Sequence, residues 1–364
     1  MASAAVDAVF WDAVERGDGE LFAAEFGVDV GAPLRETLPA FSAWQRRRRE
    51  REVADRLRYE VSWAPLGSVA GVGVSGGWLI VEPAGVEDVW AASLAQELTG
   101  RGAEVSRLVL EAEGLERTVL AGRLGEFAGV GRVVSFLGQV ESGSLGVVGS
   151  AVLVQALGDA GVDAAVWSVT SGAVSTGPGD VVARPVRAGV WGLGRVVALE
   201  EPGRWGGLVD VPEGVSVEGV ARLVEVVAGA VGDEDEVAVR GGTVFGRRLG
   251  PVSAASGSGV VWSPSGTVLV TGGLGALGAR VARWVVGRGA ERVVLVGRRG
   301  MESVGAAELV DGLRGLGAVV DVVACDVGVR EEVEELFARF EFSAVVHTAG
   351  VLDDGVVDGL TAER

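Results

Sequence analysis

The sequence predicts an α/β protein with two tandem Rossmann-like units. Each is a mostly parallel sheet covered by helices, and a short helical element precedes them. Three observations predict this. Apolar runs rich in Val, Leu and Ile alternate with helical segments from residue 57 onward. The chain has 364 residues, 48% of them hydrophobic, which is room for more than one core at roughly 100–200 residues per domain. The stretch VLVTGGLGALGARVARWVV, residues 268–286, reads as a strand, a glycine turn and a helix.

The first block covers residues 1–56. Val9, Phe10, Val14, Leu21, Phe22 and Phe26 recur at near-helical spacing, and Leu34, Leu38, Phe41 and Trp44 mark a second short helix. Helices this short do not bury aromatic faces alone, so they pack on the rest of the chain or on a second copy. The arginine run 46–49 reads as a binding patch or, more simply, as a solvated helix end followed by glutamates.

The second block, 57–250, alternates the two element types. WLIVE (78–82) is a strand, and VEDVWAASLAQELTGRG is the helix after it. SRLVLEA, RVVSFLG and AVWSVTSG are strands, with a helix around GVVGSAVLVQALGDAG. ARPVRAGVWGLGRVVALE (helix), WGGLVDV (strand), VEGVARLVEVVAGA (helix) and DEVAVRGG (strand) complete the block. The turn after its first strand is EPAGVED, which lacks a phosphate-binding glycine pattern. This unit is expected to have the nucleotide-fold shape without a nucleotide site. PVSAASGSG, 251–259, is a linker by its Pro, Ser and Gly content. The third block, 260–364, repeats the pattern: strands TVLVTGG, ERVVLVGRR, VVDVVACDV and SAVVHTAG, with three helices in between.

A net charge of −18 makes the chain a poor binder of nucleic acid or of anionic membrane surfaces. One cysteine, Cys325, rules out an internal disulfide and fits a reducing compartment. The N-terminus has no basic segment followed by an apolar run, and no stretch approaches the ~20 apolar residues of a membrane span. A cytoplasmic location is expected. All 32 basic residues are arginine; Tyr59 and His347 are the single tyrosine and histidine.

The third block carries the chemistry. Gly273, Gly275 and Gly278 form G-x-G-x-x-G between a strand and a helix, within Thr271, Gly272, Leu274 and Leu277. In such a turn the first glycine permits the tight bend, the second the approach of the pyrophosphate, and the third close helix packing. The helix N-terminus then presents free N–H groups to the phosphates. The competing reading is a glycine-rich turn without a ligand. An NAD site usually has an acidic residue about 20 residues on. Here Arg298 and Arg299 stand at that position. Arginine pairs with a 2′-phosphate through parallel hydrogen bonds, so NADPH is expected rather than NADH. The alternative is two surface arginines after a strand. Cys325, Asp326 and Val327 close the third strand. Asp326 is placed to bond the adenine amino group, to cap the next helix, or both. His347, Thr348, Ala349 and Gly350 close the fourth strand at the carboxyl edge, where open sheets bind ligands. A lone His there fits acid–base work. A positional role, with its backbone bordering the nicotinamide, fits better. No metal site is expected.

With TGGLGALG, VGRRG, CDV, HTAG and VLDD in this order, the third block resembles a short-chain dehydrogenase/reductase. More narrowly, the whole chain resembles the ketoreductase region of a modular type I polyketide synthase. RYEVSWAPL, TGPGD and VWGLGRVVALEEPGRWGGLVDVP in the second block resemble that family's structural subdomain, and the first block its small dimerisation element. The resemblance implies reduction by NADPH of a β-ketoacyl chain held as a thioester on the phosphopantetheine arm of an acyl carrier protein. Neighbouring synthase domains and a homodimer through the N-terminal helices are the other implied partners. Leu352, Asp353 and Asp354 match the family's marker of the B-type class, which sets the R (D) hydroxyl. Leu274 stands where these synthases often have Thr; the backbone makes the phosphate contacts there.

The family protonates its product with a Tyr, assisted by Ser and by Asn or Lys, all beyond the Leu-Asp-Asp loop. This chain ends at Arg364, Tyr59 is far upstream, and there is no lysine. The catalytic set is therefore expected to lie beyond residue 364. The second unit is expected to be truncated, with about four of six strands. By itself the chain is expected to bind NADPH weakly and not to turn over. Two other readings compete. One is a non-catalytic structural and dimerisation module. The other is an NADP-dependent epimerase or dehydratase, which also needs a downstream Tyr and does not normally carry a structural subdomain.

Overall fold

The computed structural model describes residues 16, 49, 56–67, 73–111, 115–127, 129–141, 144–252 and 262–363. The helices expected in the first block and most of the linker 251–259 lie outside the described residues. The chain forms two compact units: Met1–Ser256 with Gly355–Arg364, and Gly257–Asp354.

The first unit is an eight-stranded sheet in the order β1-β8-β7-β6-β5-β4-β2-β3. Its strands are β1 (Tyr59–Pro65), β2 (Gly77–Pro83), β3 (Glu104–Leu110), β4 (Val130–Ser135), β5 (Ala165–Ser171), β6 (Trp205–Val211), β7 (Glu236–Arg240) and β8 (Thr243–Pro251). Strands β2 to β7 run parallel. Five helices follow them: α1 (Val89–Gly100), α2 (Arg117–Leu124), α3 (Ser144–Asp159), α4 (Ala188–Glu200) and α5 (Val217–Val227). The apolar run of β2 follows from this layering, because a parallel strand covered on both faces has no solvent side. Trp78 and Ile80 join the core beneath α1 and α5, while Leu79 and Val81 join the core beneath α2 and α3.

Two features differ from the sequence reading. Helix α2 was not anticipated; only Leu120 and Leu124 of its eight residues are buried, too short a stripe to show as periodicity. The far edge is an antiparallel addition: β7 turns into β8 through Gly241 and Gly242, and β8 pairs with β1. Both turn glycines have positive φ, 52° and 75°, the backbone of a two-residue type I′ hairpin. The Gly-Gly pair was the available signal, and reading it as a strand end missed β8.

The second unit is a four-stranded parallel sheet, β11-β10-β9-β12, from β9 (Thr267–Thr271), β10 (Arg292–Gly297), β11 (Val319–Ala324) and β12 (Ala344–His347). Helices α6 (Ala276–Gly287), α7 (Ala306–Gly315) and α8 (Arg330–Arg339) connect them. Val268, Val270, Val293 and Leu295 pack against α6 and α7; Leu269, Val294 and Val296 face the cluster containing Leu336 of α8. The order is the 3-2-1-4 part of a dinucleotide-binding sheet. Its switch point lies between β9 and β12, where a crevice opens beyond the strand ends.

Candidate functional site

The crevice at that switch point is a cavity of about 590 Å³. It is lined by the glycine turn (Gly272, Gly275), the end of β10 (Gly297, Arg298), Cys325 to Gly328, and His347 to Val351. A smaller cavity of about 360 Å³ adjoins it through Gly272, Gly275, Gly297 and Arg298, and adds Leu274, Arg299, Ser303 and Val304.

The turn is built by contacts that leave no room for side chains. The left-handed residue is Gly272, with φ 61°, so the sharp bend comes one position before the first motif glycine. A Cβ there would sit 2.8 Å from both the Ala349 nitrogen and the Thr348 oxygen. A Cβ on Gly273 would meet the Val270 oxygen at 2.8 Å and the Leu295 backbone at 3.2 Å, so Gly273 serves close packing on the neighbouring strand. A Cβ on Gly278 would overlap the backbone of Gly272 and Gly273, which seats α6 directly on the turn. Gly275 is the N-cap of α6 and offers no side chain to the first-turn N–H groups. Those donors, with exposed Ala276 and Leu277 beside them, face outward as an anion-binding end.

Thr271, 5% exposed, ties the two halves of the rim together. Its Oγ1 accepts from the Thr348 N–H (3.2 Å) and the Ala349 N–H (3.3 Å). The Thr348 hydroxyl in turn donates to the Thr271 carbonyl at 2.6 Å. Thr271 Oγ1 also lies 2.7 Å from His347 Nδ1. The direction of that bond depends on the histidine tautomer. The histidine is thus held by its neighbour and exposed on its other side.

Arg298 and Arg299 are both exposed, and neither makes an ion pair among the described residues. Arg298 lines both cavities and Arg299 the smaller one. Asp326 forms a local turn, its carboxylate accepting from the Gly328 N–H at 3.0 Å, while its own N–H donates to Glu332 at 2.7 Å. The N-cap of α8 is Val329 rather than Asp326. Burial, then Glu332, Asp326 and Glu335, push the Cys325 thiol above its ordinary range. Leu352, Asp353 and Asp354 lie on the exposed stretch that leaves the cavity after Val351. Sequence reasoning missed Val296, Gly297, Gly328, Val351, Ser303 and Val304 as cavity lining. Val296 and Gly297 end β10, and the others lie four to seven residues past a strand end, so nearness to the carboxyl ends of the strands was the signal.

The equivalent place in the first unit is chemically opposite. Asp88 caps α1, its carboxylate accepting from Trp90 N–H (2.8 Å) and Ala91 N–H (3.1 Å). Glu82 at the end of β2 takes two 2.6 Å hydrogen bonds from Arg107. The helix donors that a phosphate would use are taken by an internal carboxylate, and Glu87 adds negative charge to the same cavity. Asp88 itself is held above its usual range, chiefly by burial.

Comparison with known proteins accounts for the whole layout. Residues 7–51 match the polyketide synthase dimerisation element domain, 61–249 the Rossmann fold domain of polyketide synthase extender module SpnB, and 266–364 the KR domain. The chain is 46% identical, over 99% of its length, to the polyketide synthase GfsA of Streptomyces halstedii, and 36% identical, over 85%, to the erythronolide synthase EryA2 of Saccharopolyspora erythraea. It spans only 5% and 9% of those relatives. Among solved structures, an A1-type ketoreductase superposes with a TM-score of 0.75 at 38% identity, covering 85% of this chain and 67% of that one. A C2-type ketoreductase from a modular polyketide synthase gives 0.73 at 37%, covering 84% and 68%.

Proposed function

The chain belongs to the ketoreductase region of modular type I polyketide synthases, and on that premise we propose that it carries the NADPH site of a β-ketoacyl reductase. In this reading 1–56 is the dimerisation element, 57–250 the structural subdomain, 251–259 the linker and 260–364 the cofactor-binding part of the catalytic subdomain. The substrate is a β-ketoacyl thioester on an acyl carrier protein, reduced to the β-hydroxyacyl product.

The observation that carries the cofactor reading is the pair of exposed arginines with no acidic partner among the described residues, beside a turn whose glycines leave a backbone-lined cradle. The cofactor, when bound, supplies hydride to the β-carbonyl carbon. The first-turn N–H groups of α6 hold the pyrophosphate. Arg298 and Arg299 pair with the 2′-phosphate, and Asp326 accepts from the adenine amino group. Thr271 fixes the backbone of 347–350 along the nicotinamide side. Leu352, Asp353 and Asp354 assign the B-type class and the R (D) hydroxyl. That assignment rests on the motif alone, since the similar structures include A1-type and C2-type reductases.

Residues 1–364 supply no proton donor of the family type. Tyr59 opens the edge strand β1 of the first unit, and there is no lysine. A positioned donor within hydrogen-bond reach is what proton transfer needs. This chain alone therefore binds cofactor without turnover.

The test is a titration of the chain with NADPH and with NADH. NADPH should bind more tightly, and Arg298→Ala with Arg299→Ala should reduce that preference about tenfold, the loss of roughly one charge-assisted contact. Equal affinity of the unmodified chain for both cofactors would overturn the NADPH assignment. Labelled hydride recovered in a β-hydroxyacyl product made by this chain would overturn its inactivity. A second reading, a dimerising module, is favoured by the match at 7–51 and is compatible with the first. It predicts a concentration-dependent homodimer in sedimentation that is lost on replacing Phe10 and Trp11 with Ala.

A further inference from the structure

The parallel ladder of the second unit ends beside the cofactor cavity. β11 pairs with β10 as far as Gly297 and Ala324, and the Cys325 N–H extends the ladder by donating to the Gly297 carbonyl at 3.3 Å. Asp326 is the first residue past it. Its N–H donates to a side chain instead, the Glu332 carboxylate, at 2.7 Å.

Glu332 is the third residue of α8. A glutamate there commonly accepts from the N–H of the N-cap residue, whose own side chain returns the bond. Here the N-cap is Val329, which has no acceptor, and the Val329 N–H already donates to the Asp326 carbonyl at 2.9 Å. Glu332 passes the N-cap and reaches three residues further back. The backbone of Asp326 is thereby held on both sides, its N–H by Glu332 and its carbonyl by Val329.

The Asp326 side chain is set by the same turn. One carboxylate oxygen accepts from the Gly328 N–H at 3.0 Å. The other makes no hydrogen bond among the described residues, and Asp326 lines the cavity. An ionised carboxylate only accepts, so it bonds an adenine amino group and repels the oxygen that hypoxanthine carries there. Glu332 works against a polyanionic ligand by its charge. A water could satisfy the same N–H without that charge. What the side chain adds is a link of fixed length between α8 and the Asp326 backbone. All these residues belong to the second unit.

We propose that Glu332 is a positioning residue for the adenine end of the cofactor: by taking the Asp326 N–H it fixes the turn 326–329 and keeps the free carboxylate oxygen of Asp326 placed to select adenine by its amino group. This rests on the reading of the cavity as a cofactor site with Asp326 at the adenine.

The experiment titrates the full chain with NADPH and with its hypoxanthine analogue, which has an oxygen in place of the adenine amino group, and follows amide exchange at Asp326. The unmodified chain should prefer NADPH. Glu332→Ala should release the Asp326 amide and narrow that preference at least about fivefold, part of what a hydrogen bond to a charged group contributes. Its lost charge raises the affinity for both cofactors alike and cancels in the ratio. Glu332→Gln should keep both the protected amide and the preference, because its amide oxygen accepts the same N–H. In an Asp326→Ala background, Glu332→Ala should change the ratio by less than about twofold, since the group it positions is gone. An unchanged Asp326 amide in Glu332→Ala overturns the proposal, as does an equal change in affinity for the two cofactors. A ratio that still narrows in the Asp326→Ala background also overturns it. Absence of NADPH binding by the unmodified chain, or its equal affinity for the two bases, overturns the reading beneath and the proposal with it.

Discussion

Replacing Gly272 with alanine tests the construction of the cofactor turn. Two penalties add at this residue. Its φ of 61° is left-handed, which costs a residue with a Cβ about 1–2 kcal/mol. The new Cβ would also sit 2.8 Å from the Ala349 nitrogen and the Thr348 oxygen. Those are backbone atoms held by Thr271, so neither can rotate aside, and overpacking of this kind costs about 1–3 kcal/mol. The sum is about 2–5 kcal/mol. For a unit the size of Gly257–Asp354 each kcal/mol moves the melting temperature by roughly 4–8 °C, so the second unit should melt at least 8 °C lower. The assay is calorimetry of the full chain, following the transition of the second unit. Gly287→Ala is the control. It lies at the end of α6 with nothing within 4 Å of the added Cβ, and should be neutral or stabilising by about 0.5–1 kcal/mol. A Gly272→Ala chain that melts within 1–2 °C of the unmodified one, on that same scale, would refute the argument.

Thr271→Val keeps the shape but removes the oxygen that accepts from the Ala349 N–H and that the Thr348 N–H shares with the Thr271 carbonyl. It should cost about 1–3 kcal/mol in the same assay, with Thr271→Ser restoring most of it. Cys325 is buried and its thiol is held above its ordinary range, so alkylation near pH 8 should run at least about tenfold slower in the folded chain than in urea. Asp180 supplies a pH-dependent contribution. Burial alone would raise its carboxyl, but Thr176 and the Arg240 guanidinium outweigh it and hold it below the usual range. A lowered folded value means stability that is present above the ordinary aspartate pKa and lost as pH falls through the folded one. Asp180→Asn should therefore lower stability by about 1 kcal/mol at pH 7 and make little difference once the carboxyl is protonated in both states.

Strand and helix identities were largely legible because most strands of both sheets are parallel and covered. WLIV in β2 and VLV in β9 are continuous apolar runs, and the helices after them carry the amphipathic remainder. The glycine turn was legible for a local reason: a strand, a glycine cluster and a helix are contiguous, so their geometry is written in one short stretch. Arg298 and Arg299 could be located by counting, since one βαβ unit has a nearly constant length. The antiparallel edge β7-β8-β1 was not, because Tyr59–Pro65 and Thr243–Pro251 lie far apart in the chain and their pairing depends on closure of the sheet.

The sequence by itself determined the family, the two nucleotide-fold units and which of them carries the glycine turn between its first strand and helix, because those properties rest on local spacing. Tertiary structure decided that the left-handed residue is Gly272 rather than Gly273, since only the approach of Thr348 and Ala349 demands it. It also decided that residues 355–360 belong with the first unit. Gln155, Glu200 and Arg117 stand about 160 to 240 positions before the backbone they hold, and only packing brings such distant donors and acceptors within hydrogen-bond reach.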